Sequence, residues 1–291
     1  MCRFGIYRGK PITLKRFIFD PPHNFVEQAR MPREMVITPI NVDGYGLAWY
    51  NLDLHPEPAV IKSEKPFWHD LNAASISGKI VSGNIFMHIR AASPGLPVHQ
   101  ANSHPFQYKE HLFMHNGIVS DFKKGFMRSI RQMIAEPFYS HILGTTDTEH
   151  IFNLYLTIRE EQPSLSMREA VLELFERINF LAKKHDNDLI LNFGINDGKT
   201  TIATCYTNID KSATLYYTDS SSFFPEAIVV ASEPLDYRDP SWKKFPMNHL
   251  IEINAQNQYE FAPIPNPFLR EGALPAAKPV TLKVSMPTEE L

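Results

Sequence analysis

The chain has 291 residues, of which 43% are hydrophobic and 21% charged, and its formal net charge is −3. This balance is typical of a globular protein, and the mixed charges favour binding neither to nucleic acid nor to a membrane. No apolar run of about 18 residues predicts a transmembrane helix, and Lys and Arg interrupt the N-terminal segment, so we expect no secretory signal and a cytoplasmic protein.

The first part of the chain predicts mainly β-structure. Four segments are rich in β-branched and aromatic residues and are bounded by Gly, Pro, Asn or Asp, the pattern of strands. They are 2–8, 44–50, 84–91 and 111–119. Between the first two strands, the Pro-rich stretch 18–40 predicts a loop with one short helix.

The middle of the chain predicts helices, and the last part predicts strands again. Helical apolar spacing covers 121–134, 148–161 and 166–185, and the last two begin with capping-box patterns. Asp197-Gly198 then marks a hairpin. The predicted strands of this part are 188–195, 200–207, 213–218, 226–232 and 249–263. Separate groups of strands and helices predict an α+β domain over 2–265, followed by a Pro-rich tail over 266–291.

Cys2 is the candidate nucleophile. Removal of Met1 would leave a thiol and a free α-amine on this one residue. The reference pKa of the amine is about 7.7–8.0 and that of a thiol about 8.5, so the amine is able to accept the thiol proton. The alternative is an incidental second residue. The other cysteine, Cys205, lies in a strand pattern and is expected in the core.

Three further segments carry candidate binding groups. Arg90 ends a predicted strand and suits a carboxylate held by two hydrogen bonds, although an edge-strand Arg is the alternative. Asn116 and Gly117 offer N–H donors for an oxyanion hole, or else a type I′ turn. Asp147 begins a predicted helix, where it binds an ammonium group or simply complements the helix dipole.

In combination, these segments resemble one known family. The segments that carry the resemblance are MCRFGIYRG, NVDGYGLAWY, HIRAASPG, NSHPF, FMHNGIV, TTDTE and VVASEPLD. They are similar to the class II glutamine amidotransferases, which use an N-terminal cysteine, and the likeness runs from Met1 to about Leu250. The resemblance implies a four-layer αββα sandwich of the N-terminal-nucleophile hydrolase type.

The resemblance also implies a role for each candidate residue. Cys2 would be the nucleophile, and Asn116 and Gly117 would form the oxyanion hole. Arg90 would bind the α-carboxylate of a γ-glutamyl substrate, and Asp147 would bind its α-ammonium group. No metal site and no cofactor are expected.

The loop after Arg90 departs from the family pattern. Many members have Thr and His at the third and fourth positions after the Arg, where this chain has Ser93 and Pro94. Ser93 still offers a hydroxyl to the substrate, whereas Pro94 does not replace a His side chain. The departure leaves a non-catalytic γ-glutamyl-binding or scaffold protein as an alternative, although the other residues favour an enzyme.

The resemblance is strongest to stand-alone members without a synthase domain. One branch is the amidotransferase-like subunit of a glutathione-degrading complex, which cleaves the γ-Glu–Cys bond. The other is the ergothioneine-pathway hydrolase of a hercynylcysteine sulfoxide conjugate. The sequence favours glutathione-type hydrolysis, with the second branch, or a glutaminase that delivers ammonia to a partner subunit, as alternatives. Arg3 is expected to be solvated or structural rather than in contact with the leaving group.

Overall fold

The computed structural model describes residues 2–34, 40–92, 97–210 and 214–266, in which two antiparallel sheets lie face to face. Within these residues the first sheet has, in spatial order, β11 (Lys243–Lys244), β9 (Tyr216–Thr218), β10 (Ile228–Ala231), β1 (Arg3–Thr13), β4 (Val81–Ile89), β2 (Tyr45–Asn51) and β3 (His55–Ser63). The second has β13 (Tyr259–Pro263), β12 (His249–Ile253), β8 (Thr201–Cys205), β7 (Leu189–Asn196), β6 (His111–Val119) and β5 (Phe106–Tyr108).

Helices cover the outer face of each sheet. The first sheet carries α1 (Leu14–Ile18), α2 (Phe25–Arg30) and α3 (Leu71–Ser77), and the second carries α4 (Phe126–Arg131), α5 (Asp147–Glu161) and α6 (Met167–His185). The capping box predicted for α6 is formed, because Ser166 and Glu169 satisfy each other's backbone N–H groups. At α5 the Thr146 side chain accepts from the N–H of Glu149.

The four layers are helices, sheet, sheet and helices, and a cluster of buried apolar side chains fills each of the three spaces between them. Helices α1 and α2 bury Phe17 and Phe25 against the first sheet. Helix α6 buries Phe175 against Phe193 of β7, with the rings stacked at 5.4 Å. Between the sheets lies a third cluster that includes Phe4. Each such fully buried side chain contributes about 1.5–3 kcal/mol, and the predicted αββα sandwich is confirmed.

The structure also corrects several element boundaries. The helix predicted over 121–134 begins only at Phe126, because Gly125 has a φ of +102° that a helix does not allow. The strand predicted over 249–263 is a hairpin, since the Asn254 side chain accepts from the N–H groups of Gln256 and Gln258 and turns the chain. Strands β3, β5 and β11 and helices α1 and α3 were not predicted from the sequence.

Two further expectations concern the tail and the membrane. Of the predicted tail, only Asn266 belongs to the described residues, where its side chain donates to the Thr207 carbonyl at 2.8 Å. The course of 267–291 lies outside the described residues. In the part of the chain that is described, each helix is too short or too polar to cross a membrane.

Candidate active site

Cys2 lies immediately before β1, at one end of the gap between the sheets. Its Sγ accepts from the N–H of Ala91 at 3.4 Å and lies 3.6 Å from the Ala91 carbonyl oxygen. Phe4, two residues further on, packs in the cluster between the sheets. Because side chains alternate along a strand, Cys2 continues the face that looks into this gap.

Arg90 is the neighbour of Cys2 on the adjacent strand. Arg3 pairs with Ile89 across β1 and β4, so the residues just beyond this pair, Cys2 and Arg90, lie side by side. The Arg90 guanidinium is buried, and its Nη2 donates to the Pro97 carbonyl at 3.2 Å. Among the described residues its Nη1 has no hydrogen-bond partner. One nitrogen of a buried cation therefore remains available for an anion.

Asn116 faces the same gap from the second sheet. It lies in the middle of β6, opposite Asn192 of β7, so the alternative of a type I′ turn at Asn116-Gly117 is wrong. Its Nδ2 donates to the Ser232 Oγ at 3.3 Å, and the same Oγ accepts from the Phe4 N–H at 3.0 Å. Ser232 thus joins the strand of the candidate nucleophile to the candidate oxyanion donor.

Gly117 supplies a main-chain N–H that is directed away from β7. In β6 every second N–H points that way: the N–H of His115 donates to His104 at 3.4 Å and that of Val119 to Asp147 at 2.9 Å. Gly117 lies between them, so its N–H has the same direction. A Cβ at this position would lie 1.9 Å from the Ile190 carbonyl oxygen, which explains the glycine.

Asp147 borders the site from the first turn of α5. Its Oδ2 accepts from the Val119 N–H at 2.9 Å, and its Oδ1 accepts from the Thr148 N–H at 2.8 Å and lies 3.3 Å from the Thr148 hydroxyl. A carboxylate has about four acceptor positions, so one remains for an ammonium group. The structure therefore brings together Cys2, Arg90, Asn116 and Gly117 with Asp147 at the border, whereas Ser93 lies outside the described residues.

Asp43 is a site residue that the sequence analysis did not single out. Its Oδ2 accepts from the Ala92 N–H at 2.8 Å, and its own N–H donates to the Arg90 carbonyl at 3.3 Å. It fixes the turn whose main chain touches the thiol. Burial lowers the pKa of Arg90, and the charge of Asp43 opposes that effect. Asp43 belongs to NVDGYGLAWY, one of the segments that carry the family resemblance, and this was the signal in the sequence that pointed to it.

A row of buried histidines ties the walls of the site together. Nε2 of His88 lies 3.1 Å from the His115 carbonyl oxygen and 2.9 Å from Nδ1 of His104. Burial lowers the pKa of His88 to about 3, so its ring is neutral. His115 continues the row to Thr148, 3.0 Å away, and hence to Asp147. Within the described ranges no group of three or more His, Cys, Asp or Glu is placed to hold a metal ion.

Opposing effects act on the pKa of the Cys2 thiol. Burial raises the pKa of the thiol, while the positive charge of the N-terminal amine, then the Ala91 N–H and the charges of Arg90 and Arg3, lower it, and the net shift is upward. A thiol in this setting stays protonated at neutral pH until a base takes its proton. A base next to Sγ is therefore required for nucleophilic chemistry.

Comparisons with known proteins show the family of this chain. A family model described as class II glutamine amidotransferases matches residues 30–262, a range that begins after Cys2. A Saccharomyces cerevisiae protein named probable glutamine amidotransferase DUG3 is 31% identical over 88% of this chain and 82% of its own length. The gamma-glutamyl-hercynylcysteine sulfoxide hydrolase of Mycolicibacterium smegmatis is 26% identical over 87% of this chain and 96% of its own length.

Solved structures share the fold. A glutamine aminotransferase class-II domain protein from Silicibacter pomeroyi superimposes with a TM-score of 0.65 at 24% identity, over 91% of this chain and all of that chain. The glutamine phosphoribosylpyrophosphate amidotransferase of B. subtilis gives 0.61 at 13% identity, over 91% of this chain and 49% of that chain. At these identities the likeness is one of fold.

Proposed function

This chain belongs to the class II glutamine amidotransferases, amidohydrolases of the N-terminal-nucleophile type, and we propose that it hydrolyses a γ-glutamyl amide with Cys2 as nucleophile once Met1 is removed. The observation that supports the proposal is that Cys2 lies beside Arg90 in the register of β1 and β4, while Ser232 joins Asn116 to the strand of Cys2. A γ-glutamyl group bears a carboxylate for Arg90 and a carbonyl for the thiolate.

In the first half of the reaction the chain's own amine acts as the base. The α-amine of Cys2 takes the thiol proton, and Sγ attacks the γ-carbonyl carbon while the carbonyl π pair moves to oxygen. The side-chain N–H of Asn116 and the main-chain N–H of Gly117 donate to that oxyanion. When the oxyanion collapses, the C–N bond breaks and the leaving amine takes the proton from the α-ammonium group.

In the second half water replaces the leaving group. The α-amine, neutral again, takes a proton from water as the hydroxide oxygen adds to the thioester carbonyl. Collapse breaks the C–S bond and glutamate leaves. The proton returns to Sγ, which restores the thiol and the neutral α-amine of the free enzyme. Arg90 and Asp147 hold the glutamyl group through both halves by its α-carboxylate and its α-ammonium group.

For the leaving group we propose a cysteinyl peptide of the glutathione type. The segments MCRF, NSHPFQY, LFMHNGIVSDF and ILGTTDTE support this choice, because they resemble the glutathione-degrading branch. A second candidate is a hercynylcysteine sulfoxide conjugate. The relative that is named for that substrate supports it, since 96% of its length aligns with this chain.

A substrate panel tests the proposal directly. Protein whose N-terminus has been shown by intact mass to be Cys2 is incubated with glutathione, glutamine, γ-glutamyl-hercynylcysteine sulfoxide and an α-glutamyl dipeptide, and free glutamate is measured. We expect glutathione to be the best substrate and the α-glutamyl control to be inert. No glutamate from any γ-glutamyl compound would overturn the proposed function, and release from glutamine alone would overturn the peptide leaving group.

Arg90→Ala is expected to weaken substrate capture more than turnover. The loss of a charge-assisted contact to a buried carboxylate lowers kcat/KM by about 10²-fold, mainly through KM. Steady-state kinetics on the best substrate measures this. Arg177→Ala, on the outer helix α6 and paired with Glu161 and Glu173, is the matched control and should leave the kinetics unchanged. An unaltered kcat/KM in Arg90→Ala would remove Arg90 from the site.

A further inference from the structure

Arg3, the residue next to the proposed nucleophile, is held by an unusual set of buried contacts. Its side chain is only 1% exposed. Nη1 donates to the Cys2 carbonyl at 3.1 Å, and Nε donates to the Gln28 carbonyl at 3.4 Å. Nη2 lies 3.3 Å from Oε1 of Glu233, which is fully buried. The guanidinium therefore links the main chain of Cys2 to α2 and to the residue that follows Ser232.

Glu233 is in turn fixed from several sides. His23 lies 2.8 Å from its Oε2, the N–H groups of Arg33 and Glu34 donate to its carboxylate, and the Tyr237 hydroxyl lies 3.3 Å away. Burial raises the pKa of Glu233, but His23, Arg3 and the N–H groups outweigh it, so the pKa is lowered and the carboxylate is ionised. A fixed anion of this kind holds the Arg3 guanidinium in one place.

Stability alone does not account for this pair. A buried ion pair is often no more stable than apolar residues of the same volume, because the charges lose their hydration. The five N–H donors of an Arg guanidinium do, however, fix the positions of the groups that accept from them. Cys2 has particular need of such a contact, because it precedes β1 and, as a chain terminus, would otherwise fray.

We propose that Arg3 is a positioning residue for Cys2 and that Glu233 anchors it. The inference rests on the proposed function of Cys2. The hydrogen bond to the Cys2 carbonyl fixes the rotation about the Cys2 main chain, and with it the places of the thiol and the α-amine. The positive charge of Arg3, which faces the other side of the strand, also favours the thiolate. Ser232 and Glu233 are consecutive, so one turn after β10 holds both the oxyanion donor and the nucleophile.

The test reads the thiol directly and does not depend on any substrate. In a Cys205→Ala background, iodoacetamide alkylation of Cys2 is followed by intact mass from pH 6 to pH 10, and kcat and KM are measured in parallel. The variants are Arg3→Met, Arg3→Lys and Glu233→Gln. The matched control is Arg8→Met. Arg8 is another buried arginine in the middle of β1, and it donates to the Thr201 hydroxyl and to the Lys199 and Asn254 carbonyls.

We expect Arg3→Met to move the alkylation midpoint to higher pH and to slow alkylation at pH 7 by about threefold to tenfold, as one nearby opposite charge is lost. Its kcat should fall by about tenfold or more with little change in KM, since Arg90 is intact. Arg3→Lys keeps the charge but not the fork, so it should lose kcat while the midpoint stays. Glu233→Gln should lower kcat in the same way, and Arg8→Met should change neither readout.

Several results would overturn the proposal. The first is a folded Arg3→Met variant whose alkylation profile and kcat equal those of wild type. The second is an equal shift of the alkylation midpoint in Arg8→Met, because that would indicate general loosening of β1. If Arg3→Met does not fold, the double variant Arg3→Met/Glu233→Met, which leaves no unpaired charge, takes its place under the same criteria. If wild type hydrolyses no γ-glutamyl compound, the proposed function fails, while the alkylation shift still decides the role of Arg3.

Discussion

Cys2→Ala should reduce γ-glutamyl hydrolysis to the background of the assay, a loss of at least about 10⁴-fold in kcat. The side chain that forms the covalent intermediate is gone, and the neighbouring donors and Arg90 have no alternative nucleophile to serve. The protein should remain folded, because Cys2 lies outside β1 and, among the described residues, its thiol forms hydrogen bonds only with the Ala91 main chain. Glutamate release and a thermal melt of the same preparation measure both expectations.

The matched control is the same substitution at the other cysteine. Cys205 is 4% exposed, in the cluster between the sheets on β8, as the sequence predicted. Cys205→Ala should therefore cost some stability and leave kcat as in wild type. Equal loss in both variants would show that turnover depends on the core and not on a thiol at position 2.

The same experiment extends to the α-amine. A chain with two extra residues before Cys2 keeps the thiol but turns the terminal amine into an amide, which is not a base at neutral pH. Because burial raises the pKa of this thiol, it needs that base, and general-base catalysis of this kind is worth about 10²–10⁴-fold. Full activity in the extended chain, with its intact mass verified, would contradict the N-terminal mechanism.

Strand β6 shows what the sequence could predict of this fold. Its bounds, His111–Val119, agree with the predicted segment because apolar residues lie on both sides of Asn116-Gly117, in 112–114 and in 118–119. Strand β3 was missed for a physical reason. Pro56 and Pro58 lack the N–H that a central strand needs, which argues against a strand, but β3 lies at the edge of its sheet, where prolines are tolerated.

The site was predictable where a side chain carries the chemistry itself. Cys2, Arg90 and Asn116 have side chains suited to attack, to anion binding and to donation. Ser232 and Glu233 act instead through contacts with residues that are far away in the sequence. The Ser232 hydroxyl accepts from Phe4, 228 positions away, and Glu233 binds His23, 210 positions away. Both residues lie in the segment VVASEPLD, but the segment does not reveal these contacts, because pairing of β10 with β1 creates them.

Asn116→Ala is expected to lower kcat by about 10²–10³-fold with little change in KM. Its Nδ2 has two N–H donors, of which one is directed to Ser232 among the described residues, so the other is free to donate to charge that develops in the transition state. Asn84→Ala is the control. Asn84 is also a buried amide of the gap, but it bonds to Asn196 at the far end of β4, so that variant should lose stability and keep kcat.

The size of the Asn116→Ala effect also separates two kinds of donor. The N–H of Gly117 belongs to the main chain, so substitutions other than Pro keep it, and any side chain at this position would push β6 away from the Ile190 carbonyl. Asn116→Ala should therefore retain activity well above that of Cys2→Ala. A loss below tenfold would leave Gly117 as the chief donor, whereas a loss as complete as that of Cys2→Ala would mean that Asn116 also holds β1 in place through Ser232.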